Sequence, residues 1–411
     1  MKNTNRRLVL CLDGTWQNPY QVKERENKTQ VLKPSNVLKL ARAILSRNHE
    51  DGLEQITYYD YGIGAMVKYP GLANRMLTFF DSKLGGAWGA GFESKIEEGF
   101  RFLVHNHREG DSVFLFGFSR GAAQARALTQ FIDWLGGIPT KFDAYFAPLY
   151  FKHYIDTRGG GDPNDVTTAG GRRPTHPMVP VKVELLAVWD TVMALGSRFD
   201  AHEKTSGESK SFHVADTPAQ CVRNARQALA VDERRFDFRP EIWRDSQPHQ
   251  SLEQRWFAGC HANVGGGYVH DGLANIPFHW LLGEAQALGL DIDQKFAAFY
   301  RPFAHDKLYD SMTAFYMGLE AIRLRYGKGR RTLTGYPDSA NLSLDPSVIR
   351  RLASPVQNRD EDDLYRPGQL IDLLAAQDDL AAYFESIGLT GEKAVLPEDV
   401  LELVGRAKGG G

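Results

Sequence analysis

Gly117-Phe118-Ser119-Arg120-Gly121 follows directly on the apolar run Ser112-Val-Phe-Leu-Phe116 and precedes Ala122 to Leu135, a stretch of good helix formers. A serine on a sharp strand-to-helix turn projects its hydroxyl from the end of the sheet, and glycines two residues to either side leave room for the neighbouring chain. The chemistry this permits is nucleophilic attack by the Ser119 hydroxyl. The helix N-terminus favours negative charge there, and the backbone N–H of Arg120 is placed to serve an oxyanion hole. A hydroxyl is a weak nucleophile and needs a base steadied by a carboxylate.

Groups that act together on a parallel sheet collect at the carboxyl ends of its strands. In hydrolases with this serine turn the chain order is Ser, then acid, then His. Asp190 ends the expected strand Val181 to Trp189, and His261 ends the expected strand Arg255 to Gly259. Asp190 is expected to hold the imidazole, and His261 to take the serine proton. His270 is a rival base, and Asp232 and Asp271 are rival acids. His107 and His249 follow no strand directly and fit structural or surface positions. Asp13-Gly14-Thr15 ends a further run, Leu8 to Leu12. Gly14 allows a tight turn there, the N–H of Thr15 is a candidate second oxyanion donor, and Asp13 is placed to fix the loop. Aspartyl-phosphate phosphatases carry their nucleophilic Asp two residues before such a tripeptide. That position here is Cys11, so the carboxylate this chemistry needs is missing.

The elements that must position these residues alternate in type. Leu8–Leu12, Gln55–Tyr59, Ser112–Phe116, Val181–Trp189 and Arg255–Gly259 have strand character. Ser35 to Leu45, Phe92 to His105, Ala122 to Leu135, Ala219 to Leu229 and Asn275 to Leu288 have helical spacing or composition. The alternation predicts an α/β fold, an α/β-hydrolase-like, doubly wound and mostly parallel sheet. The segments Arg158–Pro180 and Ala201–Thr217 are expected to be loops forming a cap over an apolar acyl pocket. Residues 1–290 are expected to form the catalytic domain, and 291–411 a helical extension of helices and loops packed on it.

A formal net charge of -2 gives no footing for a nucleic-acid partner. The three cysteines, Cys11, Cys221 and Cys260, fit no metal or redox spacing and are expected as buried or unpaired thiols. No metal and no organic cofactor is expected. The run Leu8–Leu12 is too short for a signal-peptide core, and no stretch of about 18 apolar residues occurs. The chain is therefore expected to be made as a soluble cytoplasmic protein.

Several segments together resemble one family, the DUF2235 domain, also described as the type VI secretion phospholipase effector Tle1-like catalytic domain. They are Leu10-Cys-Leu-Asp-Gly-Thr-Trp16, Tyr61-Gly-Ile-Gly64, Gly110-Asp111 with Phe114 to Ala122, Val188-Trp-Asp-Thr-Val192, Ala230-Val-Asp-Glu-Arg-Arg235, Trp256 to Tyr268 and Leu273 to Pro277. The resemblance runs from about Arg7 to Leu290 and thins beyond. It implies an α/β-hydrolase with a Ser119-Asp190-His261 triad, which lowers the standing of His270. It also implies phospholipase A activity, transient contact with a membrane surface, delivery by a type VI secretion system and a cognate immunity protein. Asn263 departs from the family pattern, which often has Asp there. The expected activity is hydrolysis of lipid carboxylic esters. The alternatives are a carboxylesterase or thioesterase for soluble esters, and a binding module of the same fold without catalysis.

Overall fold

The computed structural model describes residues 5–14, 22–24, 30–62, 86–193, 214–312, 317, 329–354, 364–391 and 395–409. In chain order the strands are β1 (Arg7–Leu12), β2 (Val22–Glu24), β3 (Gln30–Leu32), β4 (Gln55–Asp60), β5 (Ser112–Phe118), β6 (Lys182–Trp189), β7 (Val222–Ala230), β8 (Ser251–Phe257) and β9 (Leu342–Leu344). The helices are α1 (Asn36–Ala43), α2 (Gly86–Asn106), α3 (Arg120–Leu135), α4 (Ala147–Asp156), α5 (His261–Gly265), α6 (Gly272–Ala287), α7 (Gln294–Ala297), α8 (Pro346–Leu352), α9 (Gly368–Ala375), α10 (Leu380–Ser386) and α11 (Glu398–Gly409).

Seven strands form one sheet in the order β4-β1-β5-β6-β7-β8-β9, and every neighbouring pair is parallel. β2 and β3 pair separately as an antiparallel hairpin. Side chains alternate across the sheet, and this sorts the core into two layers. Leu8, Leu10 and Leu12 of β1 pack with α2, α3 and α4 residues such as Phe100, Leu128 and Tyr150. Val9 and Cys11, from the same strand, face Val37 and Leu40 of α1 and Phe278 and Leu281 of α6. The continuous apolar runs seen in the sequence are therefore strands covered on both faces.

From β1 the chain moves outward to β4, then returns to β5 on the other side of β1 and continues to β9. The reversal puts a topological switch point between β1 and β5, the position at which sheets of this kind bind ligands beyond their strand carboxyl ends. Residues 13–14 and Ser119 leave those two strands.

Three expectations need correction. Residues 219–229 are not a helix; Val222–Ala230 is the strand β7, between β6 and β8. Three of its polar residues, Asn224, Arg226 and Gln227, find partners in place. Asn224 donates to the Glu184 carbonyl (2.8 Å), Arg226 to Glu284 (2.6 Å) and Gln227 to Gln254 (2.9 Å). Sheet position overrides local propensity. The C-terminal third is not helices and loops alone, because β9 adds an edge strand to the main sheet beside β8. Its helices α8 to α11 bury Val348, Leu352, Leu370, Leu374, Phe384 and Val404 in a third apolar cluster that includes Leu229 and Trp256 of the sheet. The segment Arg158–Pro180 does not cap the strand carboxyl ends. Trp134 Nε1 donates to the Gly161 carbonyl (2.7 Å), and Ile138 and Val179 exchange backbone hydrogen bonds. These contacts hold it at the C-terminal end of α3, the far rim of the sheet. Of the second expected cap loop, residues 201–213 lie outside the described residues.

A methyl group at Gly121 would overlap the carbonyl oxygens of Leu12 and Asp13, and backbone atoms cannot swing away. Gly283, on the exposed side of α6, has open space where a methyl would go, with nothing within 4 Å. Gly121→Ala is expected to destabilise by about 2–4 kcal/mol, and Gly283→Ala to be neutral or stabilising by up to about 1 kcal/mol. Urea denaturation of both variants checks this; equal midpoints would contradict the close approach at Gly121.

Candidate active site

β5 delivers Ser119 at φ 58°, ψ −122°, a strained conformation for a residue with a Cβ, and Ser119 is the N-cap residue of α3. Its N–H continues the sheet by donating to the Trp189 carbonyl (3.0 Å), the last residue of β6. A methyl at Gly117 would lie 2.6 Å from the Gly121 carbonyl oxygen, so both flanking glycines are required by the approach of α3. Arg120 opens α3 with its guanidinium buried, and burial pulls it down to about 9, still cationic at neutral pH.

Asp190 is the next residue after β6. It too has positive φ (45°), is fully buried, and its N–H donates to the Ala228 carbonyl (2.7 Å). The turn aims its carboxylate across the end of β7. There Oδ1 accepts the Ala230 N–H (3.0 Å), and Oδ2 lies 2.6 Å from His261 Nδ1. Arg331 completes the shell as a fork, with Nη1 2.5 Å from Oδ1 and Nη2 2.9 Å from Oδ2. Burial pushes against the charged carboxylate, but Arg331 and His261 together hold it well below the usual range.

His261 begins α5, the short helix after β8. Its N–H donates to Glu233 Oε2 (3.2 Å). Its ring packs against Phe118, the residue before Ser119 (centroids 4.6 Å), and meets Phe238 edge-on (5.0 Å). Burial lowers its basicity most; Asp190 raises it, Arg235 lowers it and Glu233 raises it, with a net downward shift. The elements thus bring Ser119, Asp190 and His261 to one rim of the sheet, each at a strand's carboxyl end. The lowered basicity favours the neutral imidazole, and with its proton on Nδ1 that form would donate to Asp190 and leave Nε2 as the base.

At the end of β1, Asp13 is buried and organises its loop. Oδ1 accepts the Gly14 N–H (2.7 Å), and Oδ2 accepts the hydroxyls of Ser35 (2.5 Å) and Tyr59 (2.7 Å). Burial raises its pKa to about 6 despite these bonds. The N–H of Gly14 is thereby engaged, and what Gly14 supplies is room: a methyl there would sit 3.2 Å from Ser119 Cβ and 2.8 Å from the Phe118 ring. Thr15, the candidate second oxyanion donor, lies outside the described residues, as do Trp16, Ile63 and Gly64 of the sequence motifs.

The rivals sit elsewhere or are occupied. His270 is largely exposed, 4.0 Å from Asp306. Asp271 pairs with the buried Lys39 (3.0 Å). Asp232 accepts the Gly259 N–H (2.6 Å) and the Tyr365 hydroxyl (2.8 Å), tying the rim together. His107 precedes β5 and His249 precedes β8, at the opposite rim. Asn263 accepts from the Tyr309 N–H (3.1 Å) and donates to the Lys307 carbonyl (3.1 Å). Cys11 is fully buried, and burial raises its thiol far above the usual range. Among the described residues no group of three or more His, Cys, Asp or Glu could hold a metal ion, and no helix is long and apolar enough to cross a membrane.

Arg331, Glu233 and Arg235 were not singled out in the sequence as site residues. Arg331 lies in the weakly patterned C-terminal third. Glu233 and Arg235 follow β7, and taking that strand for a helix hid their place at a strand end.

A parallel sheet with helices on both faces, a strained serine at its switch point and a buried Asp–His pair beside it define an α/β-hydrolase-like protein. Residues 6–284 match the family described as T6SS, Phospholipase effector Tle1-like, catalytic domain, and the chain belongs to that family. A Saccharomyces cerevisiae protein, described as uncharacterized protein YEL023C, is 25% identical over an alignment of 250 residues that covers 58% of this chain and 32% of that protein. The chain thus spans well under two thirds of that relative's length. Among solved structures, an uncharacterized protein from Pseudomonas aeruginosa is similar with a TM-score of 0.40 at 14% identity, covering 98% of this chain and 62% of that one. The Tle1 effector bound to the VgrG spike of the type 6 secretion system is similar with a TM-score of 0.40 at 13% identity, covering 82% of this chain and 83% of that one.

Glu233 is fully buried, and its ion pair with Arg235 (2.9 Å) helps to lower its pKa from 4.5 to about 2 against the cost of burial. A carboxylate held below its unfolded value stabilises the fold fully above about pH 4.5, and that stabilisation fades as pH falls towards 2. Glu233→Gln is expected to lose about 2–3 kcal/mol near neutral pH, with the gap to wild type narrowing between pH 5 and 3. Denaturant midpoints across that range check this; a gap independent of pH would contradict it.

Proposed function

We propose that this protein is a serine ester hydrolase whose substrates are acyl esters of phospholipids. Ser119 Oγ attacks the ester carbonyl while His261 Nε2 takes its proton. Asp190 holds Nδ1–H and stabilises the imidazolium that forms. The tetrahedral oxyanion meets the positive end of α3 and the N–H of Arg120, with Thr15 as the expected second donor. His261 then protonates the departing alcohol, and water, activated by the same imidazole, cleaves the acyl-serine ester to release the fatty acid and restore the Ser119 hydroxyl.

The observation that carries this reading is the Asp190–His261 hydrogen bond (2.6 Å) beside Phe118, at the rim where Ser119 is held in strained geometry. A buried acid–imidazole pair whose ring packs on the residue before that serine is the arrangement a general base and its orienting carboxylate require. The lipid substrate draws on the family description, which is of phospholipase effectors. The same description names type VI secretion and supports delivery by that system.

Ser119→Ala is expected to lower hydrolysis of a long-chain phosphatidylcholine by about 10⁴-fold or more. A fluorophosphonate is expected to label the wild type and not this variant. Labelling that persists in the variant would remove Ser119 from the mechanism, and turnover of p-nitrophenyl butyrate without phospholipid turnover would favour a soluble-ester hydrolase. Because burial lowers the basicity of His261, the acid limb of the kcat/KM profile is expected below the ordinary histidine value of about 6.5. A limb above 7 would contradict the environment described for the imidazole.

A further inference from the structure

Asp190 accepts from more than the imidazole it would orient: the Ala230 amide and both Nη atoms of Arg331 also bind it. The Arg331 guanidinium covers both of its oxygens, and Arg331 is almost completely buried. The same guanidinium is fixed from behind. Nη1 donates to the Ala230 carbonyl (2.8 Å) and Nη2 to the Phe238 carbonyl (2.7 Å). Phe238 is the residue whose ring meets His261 edge-on. One side chain therefore touches the acid, the strand end that backs the acid, and the turn that flanks the base. A planar fork with several fixed donors does this in a way that a lysine cannot.

The geometry points to Arg331 as a positioning residue of the hydrolytic site: it clamps Asp190 in the plane that receives His261 Nδ1–H, anchors the Phe238 wall of the imidazole, and offsets part of the carboxylate charge felt by the ring. This rests on Ser119, His261 and Asp190 being the reacting set. It also makes the chain beyond residue 284, where the family match ends, part of the working site. Without a counter-charge, a fully buried Asp190 would stabilise the imidazolium more strongly and hold His261 protonated to higher pH. Among the described residues, the other ionisable groups at this rim include Asp13, Asp60, Arg120, Asp232, Glu233, Arg235, the Cys260 thiol and the Tyr268 hydroxyl. Of these, Arg235 and Glu233 act on the imidazole, in opposite directions.

The test is the second-order rate of fluorophosphonate labelling at Ser119 from pH 5 to 9, for wild type, Arg331→Gln and Arg331→Lys, with thermal unfolding measured alongside. Arg331→Gln is expected to move the acid limb upward by roughly half to one pH unit and to lower the plateau by about tenfold or more. Arg331→Lys keeps the charge but not the fork, so its limb is expected to move less while its plateau still falls by about tenfold. A folded Arg331→Gln with an unmoved limb overturns the assignment, because loss of packing alone lowers the rate without shifting the titration. If Arg331→Gln does not fold, Arg331→Lys decides: labelling at the wild-type rate overturns it. Failure to label wild type would remove the hydrolase reading itself, which these variant comparisons keep distinct from failure of the Arg331 role.

Discussion

The Asp190 carboxylate is the point on which the rest of the rim depends. It has no contact with water, sits on a residue with positive φ, and receives hydrogen bonds from a backbone amide, an imidazole and an arginine fork. A charge in that position is tolerated only with its partners in place, because an unpaired buried carboxylate is among the costliest groups a fold can carry. Its demands reach outward. The end of β7 must present the Ala230 amide, α5 must present His261, and the C-terminal third must deliver Arg331.

The sheet meets those demands through its topology. β5, β6, β7 and β8 are consecutive neighbours in one parallel sheet, so the residues that follow each strand fall in a row along one rim. Ser119 and Asp190 are the two strained non-glycine residues of that row, at the ends of β5 and β6, and Ser119 hydrogen-bonds the residue just before Asp190. On the other side of the serine, Asp13 ties β1, α1 and β4 together through Gly14, Ser35 and Tyr59. The serine thus lies between two buried carboxylates with opposite tendencies. Asp190 is held ionised by a cation, whereas Asp13 is pushed towards protonation by burial with only neutral donors around it.

Much of this was legible in the sequence, for physical reasons particular to each segment. β1 and β5 are buried on both faces, as is β6 from Leu185 to Trp189, so they are written as apolar runs, and the residues that end them stand out. The serine turn was legible because Gly121 is dictated by the close passage of α3 over Leu12 and Asp13, and Gly117 by the first turn of α3 passing over β5. β7 was not, because a central strand whose polar side chains are paired with Glu184, Glu284 and Gln254 carries the composition of a helix. Arg331 was not legible either. A positioning contact between residues 141 positions apart leaves no local pattern. Arg158–Pro180 looked like a cap because long Gly/Pro-rich stretches often are, and nothing in its composition says at which end of the sheet it folds.

The family match and the rim geometry agree on the class of chemistry, and they reach it from different directions: one from residues along the chain, the other from side chains that meet in space. The most direct measurement of whether those side chains work together is a crystal structure of the protein after reaction with a diethyl phosphoryl fluoride. The expected result is a phosphoryl group bonded to Ser119 Oγ, a phosphoryl oxygen against the Arg120 amide, and His261 Nε2 facing the phosphorus with Nδ1 still on Asp190. An adduct on another residue, or an imidazole turned away from the phosphorylated serine, would contradict it.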